Sequence, residues 1–235
     1  MQSVHTQILA DLLAQKNDKQ SENLQRFFKT GKGQYGYGDL FLGIKVPIQR
    51  SIAKKYYKKI NLVDLQKLVI SKFHECRLTS LLILTYQFPL LKEKEKKSIY
   101  NFYIKNINYV NNWDLVDLSA PNIVGAYLTT RSPRSLYNLV KSKNIWHRRI
   151  AIISTFYFIK NNKFDDALKI CKLLLKDDHD LIHKATGWML REIGKRNLSL
   201  LIKFLDDNYS KMPRTMLRYA IEKLPENRRK HYLAH

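Results

Sequence analysis

Apolar side chains recur every three or four residues along nearly the whole chain, and that period constrains the fold more than any other feature. Ile150, Ile153, Phe156 and Tyr157 form one such stripe, ending on Lys160. Leu168, Cys171, Leu174 and Leu175 form another, and Leu198, Leu201, Ile202 and Leu205 a third. This is the spacing of one face of an α-helix. No segment shows the period-2 alternation of a strand. Pro47, Pro89, Pro121, Pro133, Pro213 and Pro225 fall between periodic stretches, where helices start or stop. Ser132-Pro133 predicts an N-cap followed by a proline in the first turn. Together these signals predict helices over 5–15, 21–29, 47–60, 62–74, 76–88, 92–107, 111–118, 121–129, 133–142, 145–161, 164–176, 179–195, 198–210 and 213–224.

Short helices joined by brief turns must bury their stripes on one another, as stacked antiparallel pairs or as a bundle. The tryptophans favour stacking. Trp113 is followed by Asp117, Trp146 by Arg149 and Trp188 by Arg191, each pair on one helix face. The tryptophans recur after 33 and then 42 residues, which is the range of two-helix repeats. Such repeats build a curved solenoid with one concave surface. Taken singly, each tryptophan fits a buried core equally well.

Charge narrows the partner. Lys plus Arg is 42 against 20 for Asp plus Glu, a net charge of +22. Hydrophobic residues make up 45% of the chain, too many for a disordered basic tail. A folded surface this basic calls for a polyanion, and nucleic acid leads the candidates. Basic residues cluster in Lys54-Lys55-Tyr56-Tyr57-Lys58-Lys59, at Arg148-Arg149, from Arg191 to Lys195-Arg196, and from Arg214 to Arg218. One cluster alone is an ordinary solvated face; together they suit a phosphate track. Two cysteines, Cys76 and Cys171, are too few for a disulfide framework or a four-cysteine zinc site. No apolar run reaches membrane-spanning length, and MQSVHTQILADLLAQ lacks the pattern of a signal peptide. The expectation is a cytoplasmic protein, nucleoid-associated in a bacterium, with no membrane partner.

Two apparent motifs dissolve on inspection. Gly31-Lys32-Gly33-Gln34-Tyr35-Gly36 matches G-x-G-x-x-G, but it follows a helical stretch and no carboxylate stands some twenty residues on, where Lys54-Lys55-Tyr56-Tyr57 lies. The segment is a loop, either a connector or a contact for a phosphate backbone through its lysines, Tyr35 and Tyr37. His179 and His183 have i, i+4 spacing that can bind zinc, but they lack a glutamate between them and an evident third ligand. A structural role is expected, with no metal and no cofactor.

Four ordered segments carry a family resemblance. They are YGYGDLFLGIKVP from Tyr35 to Pro47, NWDLVD from Asn112 to Asp117, NIWHRRIA from Asn144 to Ala151, and HKATGWMLREIGKRN from His183 to Asn197. The chain resembles the AlkD-type DNA alkylation repair glycosylases, over roughly Leu24 to Pro225. The resemblance implies an all-α fold, a right-handed solenoid of HEAT-like antiparallel helix pairs with a basic concave groove. It implies one domain over 1–235, with N-terminal helices in 1–30, a glycine-rich loop at 31–43 and helical repeats over 47–225. The implied activity is hydrolysis of the N-glycosidic bond of cationic N3- and N7-alkylpurines in double-stranded DNA, by a monomer without metal or cofactor.

Carried over residue by residue, the family's catalytic Asp falls on Asp117, its flanking aromatics on Trp113 and Trp188, and its phosphate-positioning arginine on Arg149. Arg148, Arg149, Arg191, Lys195, Tyr35, Lys54, Arg214 and Arg218 are the expected DNA contacts. Arg148, His179 and His183 depart from the family pattern. By position alone, a cap or ion-pair role within a repeat is favoured for Asp117, and the ordered motif set reverses that preference. The competing classes are a non-catalytic helical-repeat DNA-binding protein and a protein–protein scaffold.

Overall fold

A computed structural model describes residues 2–234. Among them every regular element is helical, and the β contact present is an isolated parallel bridge between Leu40 and Phe73. The chain packs as two compact units, residues 1–119 and 120–235.

The first unit begins with α1 (Val4–Leu13) and α2 (Asp18–Phe27). Ser3 caps α1 by accepting from the Thr6 N–H, and Asn17 caps α2 by accepting from Gln20. Helix α3 (Val46–Tyr56) takes Pro47 into its first turn, where a missing N–H costs nothing. Asn61 caps α4 (Leu62–Val69). Helix α5 (His74–Gln87) is the hub. It is buried from His74 through Leu84, and α1, α3 and α4 all pack on it. Helices α6 (Glu93–Lys105) and α7 (Trp113–Ala120) follow.

One buried carboxylate fixes the segment that leads into α3. Glu75 of α5 accepts the N–H groups of Leu42, Gly43 and Ile44 at 2.8, 2.9 and 3.2 Å. Gly43 has φ +83°, and a Cβ there would lie 2.0 Å from the Asn17 carbonyl oxygen. Both the backbone conformation and the space demand glycine.

The second unit opens with a π-helical turn, Pro121–Gly125, and the single turn α8 (Ala126–Leu128). Pro121 has no N–H with which to close an α-helical bond to the residue four before it, which accounts for the widened turn. The remaining helices are α9 (Arg134–Val140), α10 (Ile145–Lys160), α11 (Asp165–Leu173), α12 (Asp180–Gly194), α13 (Leu198–Asn208), α14 (Arg214–Ile221) and α15 (Glu226–Leu233). Within this unit α9 packs on α10, α11 on α10 and α12, and α13 on α12, while α10, α12 and α14 lie side by side. This is the pairing expected of helical repeats. Gly187 sets the closest approach: a Cβ on α12 would stand 2.4 Å from the Met216 carbonyl of α14.

Three local expectations change. The helix expected over 62–74 stops at Val69, because residues near Phe73 bridge to Leu40 before α5 starts. Ser132 does not cap α9, whose N-cap is Pro133 without a side-chain bond. Helix α15, beyond the last expected helix, has almost no apolar stripe and is tied down by Tyr232, whose hydroxyl donates to Asp206 at 2.7 Å. Cys76 and Cys171 are both buried, and burial pushes each thiol up, so neither is a ready nucleophile.

Candidate functional site

The first unit gathers its chemistry at the start of α7. Asn112, fully buried, accepts the Trp113 N–H at 2.9 Å and sends its amide toward Asp39 at 3.4 Å. Asp114 accepts from the Leu115 N–H at 2.8 Å through one oxygen and from His74 Nε2 at 2.8 Å through the other. His74 Nδ1 lies 2.9 Å from Asp39, whose second oxygen pairs with Arg77. Arg77 also donates to the Ser71 carbonyl at 2.8 Å.

The charge state of this network follows from its partners. Burial alone would push the His74 pKa down, but the Asp114 and Asp39 carboxylates outweigh it and raise the pKa to about 9. At neutral pH His74 is therefore an imidazolium donating through both ring nitrogens. Burial would raise Asp39, yet His74 and Arg77 hold it below the usual carboxylate range.

Rings cover the same network. Phe41 stacks on His74 at 4.5 Å, Phe28 on Phe41 at 5.0 Å, and Trp113 on Phe28 at 5.2 Å. Phe27 meets Trp113 edge-on at 5.9 Å while remaining 62% exposed. Tyr35, from the glycine-rich loop, reaches the Phe27 carbonyl at 3.5 Å. Asp117 sits one turn after Trp113 on α7, and both are half-buried. Beneath α7, the Tyr103 hydroxyl pairs with Ser119 at 3.0 Å. Burial drives the Tyr103 pKa upward and the Asp117 charge adds to the rise, so the Asp117 field is felt inside the unit.

Arg149, Trp188 and most of the expected cations belong to the second unit. Arg149 is buried on α10 and donates to the Leu181 carbonyl at the start of α12. Trp188 on α12 is half-buried and tilted against Phe156 of α10 at 5.6 Å. Arg148 is engaged internally: it donates to Asp177 at 2.6 Å and to the carbonyls of Ser142 and Lys143. Arg191 pairs with Glu222, and Lys195 with Glu192 at 2.6 Å. Arg214 and Arg218 are exposed on α14, and Lys54 is exposed in the last turn of α3. His179 Nδ1 caps α12 at the Leu181 N–H, and His183 meets the Asp177 carbonyl. Their spacing thus serves the start of a helix. Burial lowers the pKa of His147 and of His179, favouring the neutral ring in each.

Sequence reasoning missed His74, Arg77, Asp39 and Asp114. Two of them stood inside quoted segments, Asp39 in YGYGDLF and Asp114 in NWDLVD, without a role. His74 and Arg77 gave no local signal, because their partners lie 35 to 40 residues away.

Among the described residues no helix is long and apolar enough to cross a membrane, and no three metal-ligating side chains cluster. No curated protein matches the chain. Solved structures do, at low identity. A predicted DNA alkylation repair enzyme from Enterococcus faecalis is similar with a TM-score of 0.69 and 16% identity, covering 90% of this chain and 98% of that one. AlkD2 from Streptococcus mutans is similar at 0.56 and 16%, covering 88% and 98%. The smu.31 protein from Streptococcus mutans UA159 is similar at 0.53 and 17%, covering 86% and 96%. Identities this low speak to fold alone. The family model described as DNA alkylation repair enzyme matches residues 8–224. On that match, the chain belongs to the DNA alkylation repair enzyme family.

Proposed function

We propose that this protein is a monofunctional DNA glycosylase that hydrolyses the N-glycosidic bond of cationic N3- and N7-alkylpurines in duplex DNA, acting as a monomer in the cytoplasm. The observation that carries the reading is the pairing of Asp117 with Trp113 one turn apart on α7, whose first turn is pinned by a buried ionic network.

The chemistry fits one carboxylate. A purine alkylated at N3 or N7 already carries positive charge and departs as a neutral base, so it needs no proton from a general acid. That separates it from ordinary glycoside hydrolysis, which uses two carboxyl groups. Charge develops on the deoxyribose as an oxocarbenium ion. Asp117 opposes that charge from a fixed position, which is worth most in a site shielded from water. The same carboxylate orients a water molecule and takes its proton as the new C1′–O bond forms. Trp113, Trp188 and the exposed Phe27 offer ring faces and edges to the cationic sugar, worth about 0.5–2 kcal/mol each.

DNA is held by its phosphates. Arg149, buried on α10 and donating to the Leu181 carbonyl, is carried over from the family as the cation near the lesion phosphate. Arg214, Arg218, Lys54, Tyr35, Arg191 and Lys195 extend the contacts. Arg148 acts in this reading chiefly as a brace, since Asp177 and two carbonyls occupy its donors.

Leaving-group charge gives the test. Single-turnover excision is measured on matched duplexes carrying 7-methylguanine, which is cationic, or 1,N6-ethenoadenine, which is neutral. The cationic base is released, and the neutral one leaves slower by on the order of 10²-fold or more, the usual contribution of a missing general acid. Equal rates would reveal a second acid and end the single-carboxylate mechanism.

A further inference from the structure

His74 has no part in the chemistry above, yet it is buried near the site, 2% exposed, with both ring nitrogens bonded and aromatic rings packed against it. Every element around it contributes. Asp39 comes from the segment before α3, Arg77 and Glu75 from α5, Asp114 from α7, Phe28 from the end of α2, and Phe41 from the segment that Glu75 clamps. Glu75 is occupied by three backbone N–H groups and does not compete for the ring.

A buried group of two carboxylates, an imidazolium and a guanidinium is costly to assemble, and apolar side chains of the same volume would often be as stable. What such a group adds is direction. Leu115 and Val116 bury α7 by non-directional packing, which tolerates rotation of the helix about its axis. The His74–Asp114 bond does not tolerate it, because Asp114 occupies the first turn and its acceptor must stay aligned. Trp113, beside Asp114, is held a second time through the ring column that ends on His74.

We propose that His74 is a positioning residue: bonded to both Asp39 and Asp114, it locks the first turn of α7 and so fixes the pose in which Trp113 and Asp117 are presented to DNA. The proposal rests on the catalytic reading of Asp117, but its structural half is measurable without catalysis.

The protein is labelled with 5-fluorotryptophan, and Trp113→Phe assigns the Trp113 resonance. His74→Phe keeps a ring in the column but removes both donors. Its Trp113 resonance is expected to shift or split. Its single-turnover excision of 7-methylguanine is expected to fall by on the order of ten- to a hundredfold, as misplacement of reacting groups does. Binding to undamaged duplex, carried by phosphate contacts, is expected to stay within about threefold. Asp114→Asn, whose single oxygen still accepts from either Nε2–H or the Leu115 N–H, is expected to retain more activity than His74→Phe. A His74→Phe protein with wild-type fluorine spectrum and rate would overturn the proposal.

Should His74→Phe fail to fold, the wild type decides the matter. Loss of the imidazolium proton, near pH 9, is expected to move the Trp113 resonance while far-UV circular dichroism holds. A Trp113 resonance that stays unmoved after the His74 ring signal, followed by NMR in protein labelled with 13C-histidine, has shifted on losing its proton overturns the proposal. If the wild type releases no base, the glycosylase reading fails, and the fluorine data still judge His74.

Discussion

At the scale of single residues, Glu75 and Gly43 show how few alternatives the N-terminal unit allows. Glu75 meets three N–H donors with its two carboxyl oxygens. Glu75→Gln replaces one of those acceptors by an NH₂ facing donors, and should cost on the order of 3 kcal/mol. Gly43→Ala combines a left-handed backbone with a Cβ driven into the Asn17 carbonyl, and should cost at least about 2 kcal/mol. Urea midpoints at constant slope measure both, and either variant within about 0.5 kcal/mol of wild type would contradict the packing described. Neither role is visible in the sequence. A buried glutamate and a loop glycine look ordinary until residues thirty positions apart are brought together.

Helices, by contrast, were legible. The three-and-four period located the helices from α1 to α14 to within a few residues at most ends, because most bury one stripe on their neighbours, whereas α5 and α10 are buried nearly all round. The period failed where burial does not select the residues. Helix α15 is polar nearly all round and was missed. The break between α4 and α5 follows from a bridge to distant Leu40, which no local signal announces. The anchor of α7 is likewise an element-scale feature with a measurable signature. The His74 pKa rises from 6.5 to about 9 on folding, so the folded state holds this proton more tightly. Its stabilisation is full below pH 6.5 and fades as pH rises through about 9, by on the order of 3 kcal/mol in all. Urea unfolding between pH 6 and 10 reads this directly, and the decline should vanish in His74→Phe. A wild-type stability that stays flat, or rises, over that window would contradict the charged state assigned to His74.

For the whole molecule, the net charge of +22 means that DNA binding, on the proposed function, is chiefly a matter of counterion release. Log affinity should fall linearly with log salt, by about 0.9 per phosphate neutralised. Arg218→Ala should lower that slope by about one and weaken damaged and undamaged duplexes alike. A flat salt dependence would contradict a phosphate-tracking surface. The catalytic proposal centres on one group, Asp117, and the most direct measurement addresses it alone. Free 7-methylguanine and 3-methyladenine released from methylated duplex DNA are quantified under single-turnover conditions for wild type and Asp117→Asn. The wild type should release both bases. The variant, equal in shape but lacking the charge that opposes the oxocarbenium ion, should be slower by on the order of 10²–10³ while binding DNA at least as tightly. Release by Asp117→Asn at the wild-type rate would contradict the account.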